Sequence, residues 1–420
     1  MPGELLWQNA RLSRLFEKMR LSFLEEAELR TMPYRKILHL DLDAFFCAVE
    51  ELRNAGLRGK PFAVGGKPQQ RGVVSSCSYA ARAFGVRSAM PMARALRLCP
   101  GLIIVGPDYA AYRAMSERVM EILRSHTPLV EQLSIDEAFL DLSDLPQPAL
   151  ELAQMLQREI HVNLNLPCSI GAASSKLLAK TATDMGKARH RGDSPPNAIE
   201  VVPPGEEAAY LAVLSVQALW GVGPKTAARL ADLGIKTIGE LARIPEEALA
   251  RQFGQAGRDM HRRANGIDDR PVTVERFARS ISAETTFDQD LSDAALLQQT
   301  LRSLSESVAR DLREKGLCAS TVRLKIRWPD FETHTRQVML PQPADSDGVI
   351  FEAALNLLHS IWQPGKPVRL VGVGTTRLTE RAHQLALWDT PNQKERRLLD
   401  ALDNLRDRFG DTVVWKGKKK

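Results

Sequence analysis

The sequence predicts a multidomain α+β protein, and three observations carry that prediction. The chain has 420 residues, more than one hydrophobic core ordinarily serves, so roughly three or four domains are expected. From Tyr34 to Met185, stretches of period two alternate with stretches of helical period. After the polar, proline-bearing stretch 189–204 the character changes to short helices and glycine turns, and beyond a basic connector at 270–282 a second α+β pattern begins.

Taken in order, Leu12, Leu15, Phe16, Met19 and Phe23 recur at helical spacing near the start. Residues 1–33 read either as an extension carrying an amphipathic helix or as a leader before a start at Met32. The stretch LHLDLDAFF, Leu38 to Phe46, is a strand by its alternation. One face is Leu38, Leu40 and Leu42; the other is His39, Asp41 and Asp43. A helix is expected over 45–53, strands over 61–64 and 72–76, and a short helix over 80–84 stopped by Gly85. A long helix follows over 109–125, with Tyr112, Met115, Val119 and Ile122 on one side. The run 130–144 reads as two strands hinged near Asp136 and Glu137. Next come a helix over 150–162, a strand over 168–172 and a helix over 174–185. The last α+β stretch has helices at 294–315 and 349–361 and strands at 321–328, 334–340 and 368–378. No internal repeat is evident.

Hydrophobic residues make up 44% and charged residues 26%, the balance of folded rather than disordered protein. No apolar run approaches the ~20 residues of a membrane span, and no signal-peptide pattern opens the chain. Five scattered cysteines without a C-x-x-C pair argue against a disulfide framework or zinc site and fit a reducing cytoplasm. The net charge of +6 is a mild pointer to a polyanionic partner.

Two acidic clusters stand at strand ends: Asp41 with Asp43, and Asp136 with Glu137. Adjacent carboxylates near an apolar core repel each other unless cations sit between them. Hard divalent ions take oxygen ligands and keep positions open for phosphate oxygens, and two such ions suffice for phosphoryl transfer. Spacing alone does not separate Asp41 from Asp43, or exclude Asp141.

Four ordered motifs carry a resemblance. DLDAFFCAVEEL (41–52), SYAARAFGVRSAMP (78–91), SIDEAFLDLSD (134–144) and GAASSKLLAKTATDMGK (171–187) resemble the core motifs of the Y-family DNA polymerases, closest to the bacterial DNA polymerase IV branch, over about 34–409. The resemblance implies a right-hand polymerase fold. Its parts would be a palm at 34–43 and 109–197, small fingers at 44–108 and a helical helix–hairpin–helix thumb at 198–269. A basic linker at 270–282, an α+β little finger at 283–380 and a tail at 381–420 would complete it. It implies template-directed addition of deoxynucleotides to a primer 3′-hydroxyl, error-prone translesion synthesis without proofreading, in the cytoplasm and as a monomer. The alternative is a non-catalytic DNA-binding accessory protein of the same fold. Such relatives lose palm carboxylates, and all three are present here.

By the same resemblance, Asp41, Asp136 and Glu137 are the catalytic and metal-binding carboxylates, with the Leu42 carbonyl as a further metal contact. The ions are two Mg²⁺, with Mn²⁺ able to substitute. Asp43 and Asp141 are read as structural. Phe46 is the steric gate that leaves no room for a ribose 2′-hydroxyl, with Phe45 beside it. Tyr79, Arg82 and Lys187 match contacts to the nucleotide phosphates, although Ala188-Arg189-His190 replaces the proline that usually follows the lysine. Val73, Ser75 and Ala89, small residues over the nascent base pair, imply a loose lid that tolerates bulky template lesions.

Gly221-Val222-Gly223-Pro224-Lys225 before an amphipathic helix resembles a helix–hairpin–helix, in which Gly221, Gly223 and Lys225 meet a DNA phosphate. Arg279, Arg323, Lys325 and Arg327 are candidates for further backbone contacts, the last three on one strand face. Gln384-Leu385-Ala386-Leu387-Trp388 resembles a sliding-clamp peptide, with Leu387 and Trp388 as the pocket-filling pair and tryptophan in place of the usual phenylalanine.

Overall fold

A computed structural model of the chain describes residues 34–275, 277–380, 398–399, 401–405 and 408–410. The N-terminal extension and the 384–388 peptide lie outside them. The chain divides into two compact units, one holding 34–68 and 72–275 among the described residues, the other the described residues from 277 on together with 69–71.

In the first unit β1 (Ile37–Leu42) runs into a helix at Phe45–Arg53. β2 (Phe62–Gly65), β3 (Val74–Cys77) and β4 (Ile103–Val105) form a small sheet in the order β3-β2-β4. The short helix Tyr79–Ala83 is capped by the Ser78 hydroxyl and followed by Gly85 with φ 83°, a left-handed turn that glycine adopts without cost. β5 (Val130–Gln132), β6 (Glu137–Asp141), β7 (Cys168–Ala173) and β8 (Ile199–Val201) join β1 in a five-stranded sheet, order β5-β6-β1-β7-β8.

This sheet is buried on both faces. Leu38, Leu40 and Leu42 pack with Tyr112, Val119 and Leu123 of the helix Tyr109–His126, and with Leu152, Leu156 and Ile160 of the helix Ala149–Leu164. Each fully buried leucine contributes about 1.5–3 kcal/mol. On the other face Ile37 and Phe139 pack with Leu178, Ala179 and Ala182 of the helix Lys176–Arg189. That helix approaches closely because Gly171 has no side chain: a Cβ there would lie 2.0 Å from the Ala179 carbonyl oxygen. His39, expected on a polar face, is therefore completely buried beneath the helix.

The same unit continues into short helices. Pro224–Asp232 begins after Gly223, with proline in its first turn, where the missing N–H is no loss. Ile238–Ala242 opens with a Thr237/Glu240 capping box. Gly221 has φ 100°, so the turn before Pro224 favours glycine.

The second unit is an antiparallel sheet of β9 (Ser280–Leu291), β10 (Leu317–Arg327), β11 (Thr333–Ala344) and β12 (Val368–Glu380), order β11-β10-β12-β9. The helices Ala294–Glu314 and Asp347–Ile361 cover its apolar side. β9 was not expected from the sequence. As an edge strand it buries only Ile281 fully, leaving SISAETTFDQDL mostly polar. No described helix is long and apolar enough to cross a membrane.

Candidate active site

The register of β1 sets the site. β1 pairs antiparallel with β6 so that Asp41 lies opposite Glu137, and the Leu42 N–H donates to the Asp136 carbonyl at 3.0 Å. Two acidic stretches almost a hundred residues apart thus end side by side. Beyond Asp43, Ala44 takes the left-handed conformation (φ 46°, ψ 45°), which costs a non-glycine residue on the order of 1 kcal/mol. That turn starts the helix carrying Phe45 and Phe46.

One cavity gathers Asp41, Leu42, Phe45, Phe46, Arg82, Asp136 and Lys187, with Ala44, Ser75, Ser76 and Ser88 completing its wall. Eight residues expected at an active site share it, counting Ser75 of the expected lid. Glu137 stands behind Asp41 rather than on the cavity wall, and Tyr79 lies on an adjoining recess beside Asp43 and Lys60.

Each carboxylate has its own partner. Lys187 Nζ pairs with Asp41 and lies 3.4 Å from Asp43. Ser134 donates its hydroxyl to Asp136. Lys180 Nζ lies 3.1 Å from Glu137. Burial pushes the Asp41 carboxyl up to about 7, against the pull of Lys187 and reinforced by the charges of Glu137 and Asp136. Glu137 moves the other way, down to about 2, beside His39 and Lys180 and against burial. Lys180 is the closer partner: His39 Nε2 stands 3.8 Å from the Glu137 carboxylate. The Thr183 hydroxyl donates to the carbonyl of His39 or Ala179 (3.0 and 3.1 Å), and so accepts from His39 Nδ1 at 2.9 Å. The Nε2 of the neutral ring then accepts from Lys180 at 3.4 Å. Burial lowers the pKa of His39 and keeps it neutral.

Among the described residues no three His, Cys, Asp or Glu side chains already converge as a metal cage, because Asp41 and Glu137 turn toward separate lysines. The donor set is all oxygen, carboxylates and a carbonyl at adjoining strand ends, and it suits a hard divalent cation.

Phe46 stacks on Tyr112 with centroids 4.3 Å apart and planes 11° apart, and meets Tyr109 edge-on at 6.0 Å. Tyr112 is anchored by its hydroxyl, which donates to Glu50 at 2.7 Å. The Arg82 guanidinium lies 4.4 Å over the Tyr79 ring. Lys187 keeps a raised pKa although burial opposes its charge, because Asp41 and Asp43 flank it. The helix bearing it continues unbroken to Arg189, with His190 as its cap, so the missing proline leaves Lys187 in place on the wall.

Sequence reasoning did not identify Lys180, His39 or Tyr112 as parts of the site. Lys180 lies seven residues before Lys187 on one helix, two turns away and on the same face, the signal that would have linked them.

Gly221, Gly223 and Lys225 lie exposed at the start of the helix Pro224–Asp232, remote in sequence from the acids. In the second unit Arg323, Lys325 and Arg327 alternate with buried Val322, Leu324 and Ile326. Lys325 is paired with Glu284 at 2.7 Å, Arg323 donates to Gln337 at 3.3 Å, and Arg327 donates to Thr333 at 2.8 Å. Arg279 is exposed just before β9.

Comparison with known proteins adds three family matches: the impB/mucB/samB family over residues 40–184, its C-terminal domain over 278–387, and a DNA polymerase-iota thumb domain over 217–268. A DNA polymerase IV of Dehalococcoides mccartyi (strain CBDB1) is 39% identical over 391 residues, 92% of this chain and 98% of its own. A DNA polymerase IV of Alkalilimnicola ehrlichii is 39% identical over 364 residues, covering 85% and 100%. Among solved structures, a Y-family DNA polymerase chimera matches in fold with TM-score 0.73 at 24% identity, over 82% of this chain and 99% of that one.

Proposed function

The chain belongs to the Y-family of DNA polymerases, on its DNA polymerase IV branch, and from that membership we propose which residues perform its reaction. It is a DNA-directed DNA polymerase of the translesion kind, using primer–template DNA, deoxynucleoside triphosphates and divalent metal. The observation that carries the residue assignment is the meeting of Asp41, Asp136, Phe46, Arg82 and Lys187 in one cavity. No observation favours a non-catalytic accessory role.

Asp41, Asp136, Glu137 and the Leu42 carbonyl would hold the metal, two Mg²⁺ ions with Mn²⁺ as a substitute. Divalent ions held there would lower the pKa of the attacking 3′-hydroxyl and stabilise the leaving oxygen. Arg82 and Lys187 place two cations where phosphate charge develops, and Tyr79 carries Arg82 on its ring. Phe46, fixed by Tyr112, closes the floor under the sugar, so a 2′-hydroxyl is rejected by clash. Gly221, Gly223 and Lys225 would grip the duplex through phosphates, joined by Arg279, Arg323, Lys325 and Arg327, and so without reading sequence. The small residues Val73, Ser75 and Ala89 support a permissive lid over the base pair. The peptide at 384–388 is proposed as a sliding-clamp contact, and the enzyme as a cytoplasmic monomer.

Primer extension opposite an undamaged template and opposite a bulky adduct tests the reading. This chain should pass the adduct better than a replicative polymerase does, and equal failure would remove the loose-lid assignment.

A further inference from the structure

Asp41 and Asp43 end the same strand two residues apart, and the Lys187 ammonium sits between their carboxylates, on Asp41 and 3.4 Å from Asp43. The two acids are not equivalent. Asp41 lines the cavity. Asp43 is completely buried, and its oxygens take the Ser169 hydroxyl at 3.0 and 2.9 Å and the Asn197 N–H at 3.1 Å. Ser169 is itself fixed from behind, its oxygen accepting the Ala198 N–H at 3.1 Å.

We propose that Asp43 is a positioning residue, whose sealed carboxylate holds the Lys187 ammonium at the cavity wall so that it meets the nucleotide triphosphate. The inference rests on reading Lys187 as a phosphate contact. Lysine carries a long, flexible stem on a compact charge, and Lys187 lies in the last turn of its helix. Asp41 is a poor permanent holder, because its oxygens are needed as metal ligands. Asp43 is not on the wall of the cavity that holds Asp41, and it keeps two donors of its own, the Ser169 hydroxyl and the Asn197 N–H, whatever Asp41 does. A lysine restrained before nucleotide arrives loses less freedom on binding it. The Asp43 carboxylate is thus part of the nucleotide site without touching nucleotide.

The test measures dNTP binding by the full chain on a primer–template whose primer ends in a dideoxynucleotide, so that no chemistry follows, together with KM and kcat on extendable primer. Loss of a charge-assisted contact should weaken dNTP binding about tenfold in Lys187→Ala and in Asp43→Asn. Asp43→Asn should raise KM more than it lowers kcat. The double variant should bind within about twofold of the weaker single, the signature of two groups acting as one. Ser169→Ala, which leaves both charges, should show the same effect at about two- to threefold, and it replaces Asp43→Asn in the cycle should that variant fail to fold. If Lys187→Ala weakens binding while Asp43→Asn (or its replacement) does not, or if the two losses multiply, the positioning role is overturned and the Lys187 assignment stands. If Lys187→Ala binds dNTP like the natural chain, the phosphate reading falls and this inference with it.

Discussion

Asp41 and Glu137 face each other across two antiparallel strands, yet each turns to a different lysine, Asp41 to Lys187 and Glu137 to Lys180. Two carboxylates at one strand end cannot both stay charged without nearby cations, and the helix Lys176–Arg189 brings both lysines. The two pKa values are nonetheless displaced in opposite directions, Asp41 up to about 7 because burial outweighs the pull of Lys187, and Glu137 down to about 2.

Stability should therefore depend on the Asp41 charge. An acid whose folded pKa lies above its unfolded value favours folding only while protonated, so its contribution fades as pH rises from about 4 to about 7. Asp41→Asn removes this loss. Urea unfolding should show the variant gaining on the natural chain through that window and levelling off above it, by on the order of 1–3 kcal/mol after allowance for the lost Lys187 pair. A difference independent of pH would count against the shift.

Phe46→Ala should raise the ratio of ribonucleotide to deoxynucleotide incorporation by at least about tenfold in primer extension. Because Tyr112 stacks under Phe46 at 4.3 Å, Tyr112→Leu should loosen the gate in the same direction, by less. An unchanged ratio in Phe46→Ala would remove the gate assignment.

Gly171→Ala should destabilise severely, since its Cβ would sit 2.0 Å from the Ala179 carbonyl and the helix bearing Lys180 and Lys187 would have to move. A loss of about 3 kcal/mol or more, read by thermal unfolding, is expected.

These residues also show what the sequence disclosed. Alternation in LHLDLDAFF was enough to place Asp41 at a strand end with a leucine face below it, because strand period is a local property. The burial of His39 was not legible, since it depends on a helix more than a hundred residues later and on Gly171 admitting it. That of Asp43 was not legible either, since its partners Ser169 and Asn197 are equally remote in sequence. The stacking of Phe46 on Tyr112 likewise joins separate helices, and neither segment alone reveals it. β9 escaped notice because an edge strand with one fully buried side chain lacks an apolar signature.

DNA binding should weaken with salt, with slope set by the phosphates neutralised. Arg323→Ala should reduce that slope by about 1. Lys325→Ala should reduce it less, because Lys325 must first leave Glu284, 2.7 Å away. Equal slopes for both variants and the natural chain would exclude this strand face as a phosphate contact.

The most direct test of the account is single-turnover primer extension by the natural chain and by Asp136→Ala, with Mg²⁺ and dNTPs. Asp136→Ala should retain primer–template affinity and thermal stability while its rate falls by about a thousandfold or more. Extension at the natural rate would contradict the assignment of these strand-end acids to the chemistry.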